Sequence, residues 1–206
     1  MKQQTLITLL IATGNKGKFA EIAAELSGLG LKFISLADLP EIPECEESGR
    51  TFEENAVQKS RYYALHFRLL TLADDSGLQV DALNGAPGVF SARYAGSPCN
   101  DQSNNEKLVK ELSSIPLEKR RARFICSMAL VDAEGKLLGT TEGKIEGIII
   151  DCPRGKNGFG YDPHFFVPSL NKTTAELSRE EKNKISHRGN ATRKMHDLLK
   201  RVLNLI

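Results

Sequence analysis

The chain has 206 residues, 28 Lys+Arg against 26 Asp+Glu for a formal net charge of +2, and 40% hydrophobic residues. That length and apolar content suffice for one domain with a sizeable core, and the near balance of charge excludes a global attraction to nucleic acid, leaving that role only to a local basic patch. Cys45, Cys99, Cys126 and Cys152 form no C-x-x-C pair and have no His at zinc-ligand spacing, so they read as reduced thiols rather than a zinc or redox motif; the N-terminal apolar run, with only Lys2 ahead of it, is a poor signal peptide and nothing spans a bilayer, so a cytoplasmic protein with no membrane partner is expected.

The apolar run from Thr5 reads as a first strand and feeds the turn "TGNKGK". Phe19, Ile22, Ala23 and Leu26 then recur at i, i+3, i+4, i+7, which predicts a helix that Gly28 and Gly30 stop. "LKFISLAD" reads as a second strand. "TFEENAVQKSRYYALHF" opens with a capping box, Thr51 to Glu54, and predicts a helix leading to a third, continuously apolar strand, "LLTLA". The β-α-β-α-β order implies a mainly parallel sheet covered on both faces.

The middle of the chain changes character. A helix, "DQSNNEKLVKELSSI", precedes β-rich runs around the turn-like "DAEGK", expected to form antiparallel hairpins in a second lobe or a sheet extension. A Gly-rich loop, "RGKNGFGYDP", leads to a short strand, "FFV". A second capping box, Ser178 to Glu181, precedes a final helix whose Ala191, Met195, Leu198 and Val202 share a face. The fold class is therefore α/β, a mixed central sheet with flanking helices.

In an open α/β sheet, ligands gather beyond the carboxyl ends of the strands. The first ending gives "TGNKGK", the second a loop with six glutamates between 41 and 54, the third "ADDSG" with Asp74, Asp75 and Ser76. The first turn matches neither G-x-x-x-x-G-K-[ST] nor G-x-G-x-x-G. Even so, a lysine turn facing carboxylates is what a metal-dependent phosphate site needs: cations hold phosphate oxygens, while carboxylates hold a hard metal and deprotonate a water. Thr51, Asn55 and Lys59, at i, i+4 spacing, would present a hydroxyl, an amide and an ammonium on one helix face. Read blandly, the glutamate loop is solvated, "DDSG" is a capping turn, Lys59 is a surface lysine, Phe159 is a core plug and His187 is structural.

The blocks "TGNKGK", "EESGRTFEENAVQKS", "ADDSGL", "GAPGVFSARYAG", "GFGYDPHFF" and "ELSREEKNKISHRG", in that order from residue 13 to residue 189, together resemble the inosine triphosphate pyrophosphatase family, the non-canonical purine NTP pyrophosphatases. The resemblance implies a single domain over 1–206 with two lobes around a deep nucleotide-binding cleft, a homodimer, and Mg²⁺-dependent hydrolysis of ITP, dITP and XTP to the monophosphate and pyrophosphate. It implies that Thr13, Gly14, Asn15, Lys16, Gly17 and Lys18 bind the triphosphate, with Lys59 joining them. Asp75 would be general base and metal ligand, with Glu46, or its neighbour Glu47, the second ligand. Ser76, Phe159, Gly160, Tyr161, Asp162, Lys182, His187 and Arg188 would contact the nucleotide, chiefly its base. Because successive strand residues point to opposite faces, only one of Asp74 and Asp75 can face the site if the chain stays extended there, and the resemblance implies that Asp75, beside Ser76, is the one that carries the catalysis. The alternatives are another metal-dependent nucleotide phosphohydrolase and a non-catalytic nucleotide- or RNA-binding protein, the latter suggested by "SHRGNATRK" and "KRVLNLI"; the acidic residues at the site oppose nucleic acid as a partner.

Overall fold

A computed structural model describes residues 6–205; Lys2 and Thr5 at the first apolar run and Ile206 at the basic C-terminus lie outside them. The elements in chain order are β1 (Thr8–Ile11), α1 (Lys16–Glu25), β2 (Lys32–Ser35), α2 (Phe52–Phe67), β3 (Leu70–Val80), α3 (Asp101–Leu112), β4 (Arg121–Val131), β5 (Leu137–Ile149), β6 (Phe165–Val167), β7 (Lys172–Thr173), α4 (Arg179–Ile185) and α5 (His187–Val202), with short 3-10 turns between them. The strands form one open sheet in the order β2-β1-β3-β4-β5-β6-β7. Two compact units divide the chain. The first takes the residues up to Asp75, Cys126–Gly143 and those from Arg188 onward; the second takes Ser76–Ile125 and Lys144–His187.

In the first unit β1 pairs in parallel with β2, Leu9 opposite Phe33, and with β3, Ile11 opposite Leu72, as the β-α-β-α-β order predicts. Alternation along each strand sends neighbouring side chains to opposite faces. Leu9, Ile11 and Leu72 join Cys126, Met128 and Leu130 against Ile22 of α1, Leu26 at its C-terminal cap, and Ala191, Met195 and Leu199 of α5. Leu10, Ala12 and Ala73 go the other way, to Tyr63 of α2. Both faces are apolar because both are covered.

The second unit has its own core, built from Leu78, Val80, Leu108, Leu112, Phe124, Ile149 and Phe165 among others. β5, β6 and β7 pair antiparallel in it, with Ile149 opposite Phe165 and Phe166 opposite Thr173. The β-rich middle of the chain therefore extends the one sheet. Both capping boxes form: Thr51 Oγ1 accepts from the Glu54 amide at 3.1 Å and Ser178 Oγ from the Glu181 amide at 3.1 Å, each carboxylate reaching back to its cap's amide.

One boundary differs with consequence. The third strand, expected to stop at Ala73, runs on to Val80, so "DDSG" is strand rather than a capping turn. Hydrogen bonding to β4 holds the polar stretch extended, and Leu78 and Val80 anchor its far end in the second core. Tertiary pairing here overrides the turn preference of Asp and Ser.

Gly147 of β5 lies so close to β6 that a Cβ there would sit 2.5 Å from the Phe166 carbonyl and 2.8 Å from the Phe165 ring. Gly147→Ala is expected to cost on the order of 2 kcal/mol by overpacking, measured as a lower urea midpoint with unchanged slope.

Candidate active site

β1 ends at Ile11 and the chain turns at Thr13 into α1. Asn15 caps the helix: its Oδ1 accepts from the amides of Gly17 at 2.8 Å and Lys18 at 3.1 Å, while its own amide donates to Thr13 Oγ1 at 3.2 Å. Two of the first-turn amides that a phosphate would meet are thus already partnered. Gly14, Lys16 and Gly17 remain exposed. Lys18 points inward, its Nζ donating to Asp74 Oδ2 at 3.0 Å.

Asp74 and Asp75 are adjacent on β3 and face opposite sides of the sheet. Asp74, 2% exposed, shares the α1 and α5 side with Leu72. Lys18 lies against it, Arg188 Nε is 3.6 Å from Oδ2, and Cys126 Sγ is 4.0 Å away. Arg188, 3% exposed, also donates from Nη1 to Glu21 Oε2 at 3.0 Å. Burial pushes the Asp74 carboxyl up, but Lys18, Arg188 and Lys59 together outweigh it and hold it well below the usual carboxylate range. The magnitudes favour that outcome: burying a carboxylate costs several kcal/mol, while each cation at about 4 Å returns roughly 4 kcal/mol at an effective dielectric of 20. The Cys126 thiol beside it is pushed up to about 12, by burial first and by Asp74 second.

Asp75 shares the α2 side with Ala73. Asn55, 2% exposed, donates from Nδ2 to Asp75 Oδ2 at 2.9 Å, and its Oδ1 accepts from the Gly49 amide at 2.7 Å. That second contact requires glycine, since a Cβ at residue 49 would lie 2.6 Å from the same Oδ1. One helix turn on, Lys59 donates to the Asp74 carbonyl at 3.0 Å and forms an ion pair with Glu47. Burial raises the Asp75 carboxyl and Glu47 adds to the rise; the Asn55 hydrogen bond and the two lysines oppose it without cancelling it. A cavity of about 540 Å³ opens beside these groups, lined in part by Thr13, Gly14, Glu44, Cys45, Glu47 and Lys59.

Of the i, i+4 trio on α2, Asn55 and Lys59 reach the site, whereas the Thr51 hydroxyl serves as the helix cap. Glu46 is exposed, and Glu47 is the loop glutamate bound to Lys59. Glu21 was not anticipated from the sequence; its place three residues after Lys18, on the same helix face, was the available signal.

In the second unit Asp162, 2% exposed, is the hub. It accepts from Thr174 Oγ1 at 2.7 Å and from the Phe159 amide at 2.9 Å, and forms an ion pair with Lys182. The Lys182 ammonium lies 5.1 Å from the centroid of the Phe159 ring, a cation–π contact, and Phe159 is 44% exposed. Phe159 is therefore no core plug. Tyr161 is buried and donates its hydroxyl to the Ser91 carbonyl at 2.7 Å. His187 is buried with its ring stacked on Phe124, centroids 4.9 Å apart, and Ser76 is half-buried where β3 enters this unit.

Among the described residues no three His, Cys, Asp or Glu side chains form a metal cage, and no helix is long and apolar enough to cross a membrane. What the first unit offers is a pair of hard oxygen donors, Asp75 and Glu47, whose mutual repulsion a cation would relieve. This donor set fits a small hard cation that takes its remaining ligands from phosphate and water.

An open α/β sheet with a lysine turn set against carboxylates on the neighbouring parallel strand defines an α/β protein equipped for a phosphorylated ligand and a hard cation. Comparison makes this particular: a model of the Ham1 family matches residues 9–198, and the chain belongs to that family. It is 53% identical over 191 residues to the dITP/XTP pyrophosphatase of Geobacter sulfurreducens, covering 93% of this chain and 96% of that one. Among solved structures, it is similar to a HAM1 protein from Coxiella burnetii, 44% identical with a TM-score of 0.87 over 95% of this chain and all of that one. The Staphylococcus aureus Ham1 protein is 41% identical, with a TM-score of 0.86 over 95% and 99%.

Asp74→Asn would leave Lys18 and Arg188 facing a neutral group, and is expected to lower stability at neutral pH by on the order of 3 kcal/mol. Because the folded carboxyl titrates below its ordinary value of 3.8, its stabilisation is fully present well above that value and fades as pH falls toward the folded one. Urea unfolding of both proteins at pH 7 and in steps below pH ~4 should show the gap narrowing with acid; a pH-independent gap would argue against the ion web as its source.

Proposed function

We propose that this protein hydrolyses ITP, dITP and XTP to the nucleoside monophosphate and pyrophosphate, with Mg²⁺ as cofactor. One observation carries the reading: alternation at Asp74–Asp75 gives one carboxylate buried among cations and one raised carboxylate facing Glu47 and Asn55. It is supported by family membership and by relatives of about 50% identity that carry the name dITP/XTP pyrophosphatase.

In this proposal Thr13 to Lys18 and Lys59 take the triphosphate. Lys18 and Lys59 already face carboxylate or carbonyl oxygens, so phosphate oxygens would exchange for partners of the same kind. Asp75, oriented by Asn55, accepts a proton from the water that attacks the α-phosphorus, and its raised affinity for protons suits a base. Asp75 and Glu47 would hold Mg²⁺, Glu46 being the neighbouring candidate. When bound, the ion would neutralise charge as pyrophosphate departs. Arg188, tied to Glu21 and Asp74, is assigned here to fixing Lys18 through Asp74.

The purine is assigned to Phe159 as a stacking surface, with Gly160 to Asp162, Ser76, Lys182 and His187 around it. Lys182 carries only donors, and 6-keto purines offer an acceptor where adenine has an amino group, so the keto bases are favoured. A metal-dependent hydrolase of another phosphoester would differ in its products, and that is the basis of the test.

A panel of ITP, XTP, dITP, ATP and GTP with Mg²⁺, resolving pyrophosphate from orthophosphate, should give pyrophosphate from the first three and lose activity in excess EDTA. Orthophosphate as the product, or full activity in EDTA, would overturn the proposal.

Asp75→Asn retains the shape but removes the base, and should lower kcat by ~10²–10⁴. Its thermal midpoint should not fall, because burial disfavours the Asp75 charge in the folded protein. An active Asp75→Asn protein would remove Asp75 from the catalytic role.

A further inference from the structure

The loop bearing Phe159 is gripped from α3. Asp101 and Asn105 are four residues apart on that helix and so share a face. Asp101 Oδ2 accepts from the Gly160 amide at 2.7 Å, and Asn105 Nδ2 donates to the Gly160 carbonyl at 2.9 Å. Both backbone polar groups of one residue, in a left-handed conformation at φ +61°, are therefore held by two side chains of one helix. The Asn105 amide can serve this contact in one orientation alone. Its Oδ1 is buried with no partner among the described residues, and turning the amide over would set that oxygen against the Gly160 carbonyl. From the other flank Asp162 accepts from the Phe159 amide, and Lys182 lies over the ring.

An exposed ring on a glycine-bearing loop would otherwise lose conformational freedom each time it bound a ligand. Resting on the functional reading above, we infer that Asp101 and Asn105 are positioning residues for the substrate's purine: holding Gly160, they preset Phe159 before the base arrives. They touch no reacting atom. Their contribution belongs to nucleotide affinity and to discrimination between bases, not to the chemical step.

The test compares the wild type with Asn105→Ala, the Asp101→Ala/Asn105→Ala double variant, and Asp101→Asn, whose Oδ1 can still accept from Gly160. Three quantities are read: ITP kinetics with Mg²⁺, inhibition by tripolyphosphate as a probe without a base, and hydrogen exchange at the Gly160 amide. The double variant should exchange faster at Gly160 and raise KM for ITP by about tenfold, the worth of one charge-assisted hydrogen bond. Its kcat should stay within about twofold, and tripolyphosphate inhibition should not change. Asn105→Ala should shift KM in the same direction by less, and Asp101→Asn should stay close to the wild type. A folded double variant with faster exchange and unchanged KM would overturn the inference. So would equal weakening of ITP and tripolyphosphate, which marks general damage. A wild type that releases no pyrophosphate from ITP would overturn the functional reading and this inference with it, and is recognised on the wild type alone.

Discussion

The buried charge of Asp74 is the constraint around which the first unit is arranged. A carboxylate 2% exposed within a sheet strand needs cations, and one would not offset its desolvation. Lys18 arrives from the first turn of α1, Arg188 from the start of α5, and Lys59 of α2 approaches the backbone carbonyl of the same residue. Three helices far apart in sequence thus each send a cation to one side chain and its peptide group. Glu21 then occupies the far side of Arg188, so that this cation is itself compensated. Such a web specifies position more than it adds stability, since an apolar replacement for a buried ion group is often no worse.

Because a strand alternates, fixing Asp74 fixes Asp75 on the other face. The two carboxylates then acquire opposite electrostatic characters from one peptide step: three cations hold Asp74 ionised, while burial and Glu47 raise Asp75. Asn55 links that second carboxylate to the Gly49 turn with one donor and one acceptor, which joins the glutamate loop to β3. Pairs of titratable groups driven apart by their surroundings are what acid–base chemistry near neutral pH requires. In the second unit, Asp162 plays the corresponding organising part for the loop that exposes Phe159.

Local chemistry made much of this legible in advance. Short apolar runs and period-3.6 apolar patterns gave the parallel β-α-β-α-β half and the buried face of α5, and S/T-x-x-E spacing gave both capping boxes, because each signal depends on residues within one or two turns of each other. The ordered motif blocks identified the family, which the comparisons show. Less visible was how far β3 runs: the polar "DDSG" favours a turn locally, whereas in the structure β3 pairs with β4, much later in the chain, and continues to Val80 in the second core.

The sequence by itself therefore determined the elements, their caps and the residue types available for phosphate and metal chemistry, since these follow from short-range backbone and side-chain preferences. Tertiary structure alone decided which carboxylate is buried among cations, that Glu47 rather than Glu46 meets Lys59, and that Arg188 and Glu21 share an ion pair 167 residues apart. Those outcomes depend on which side chains are brought within a few ångströms after the sheet closes its pairings. Charge interactions and desolvation act over that distance in space, and the order of residues along the chain does not encode it.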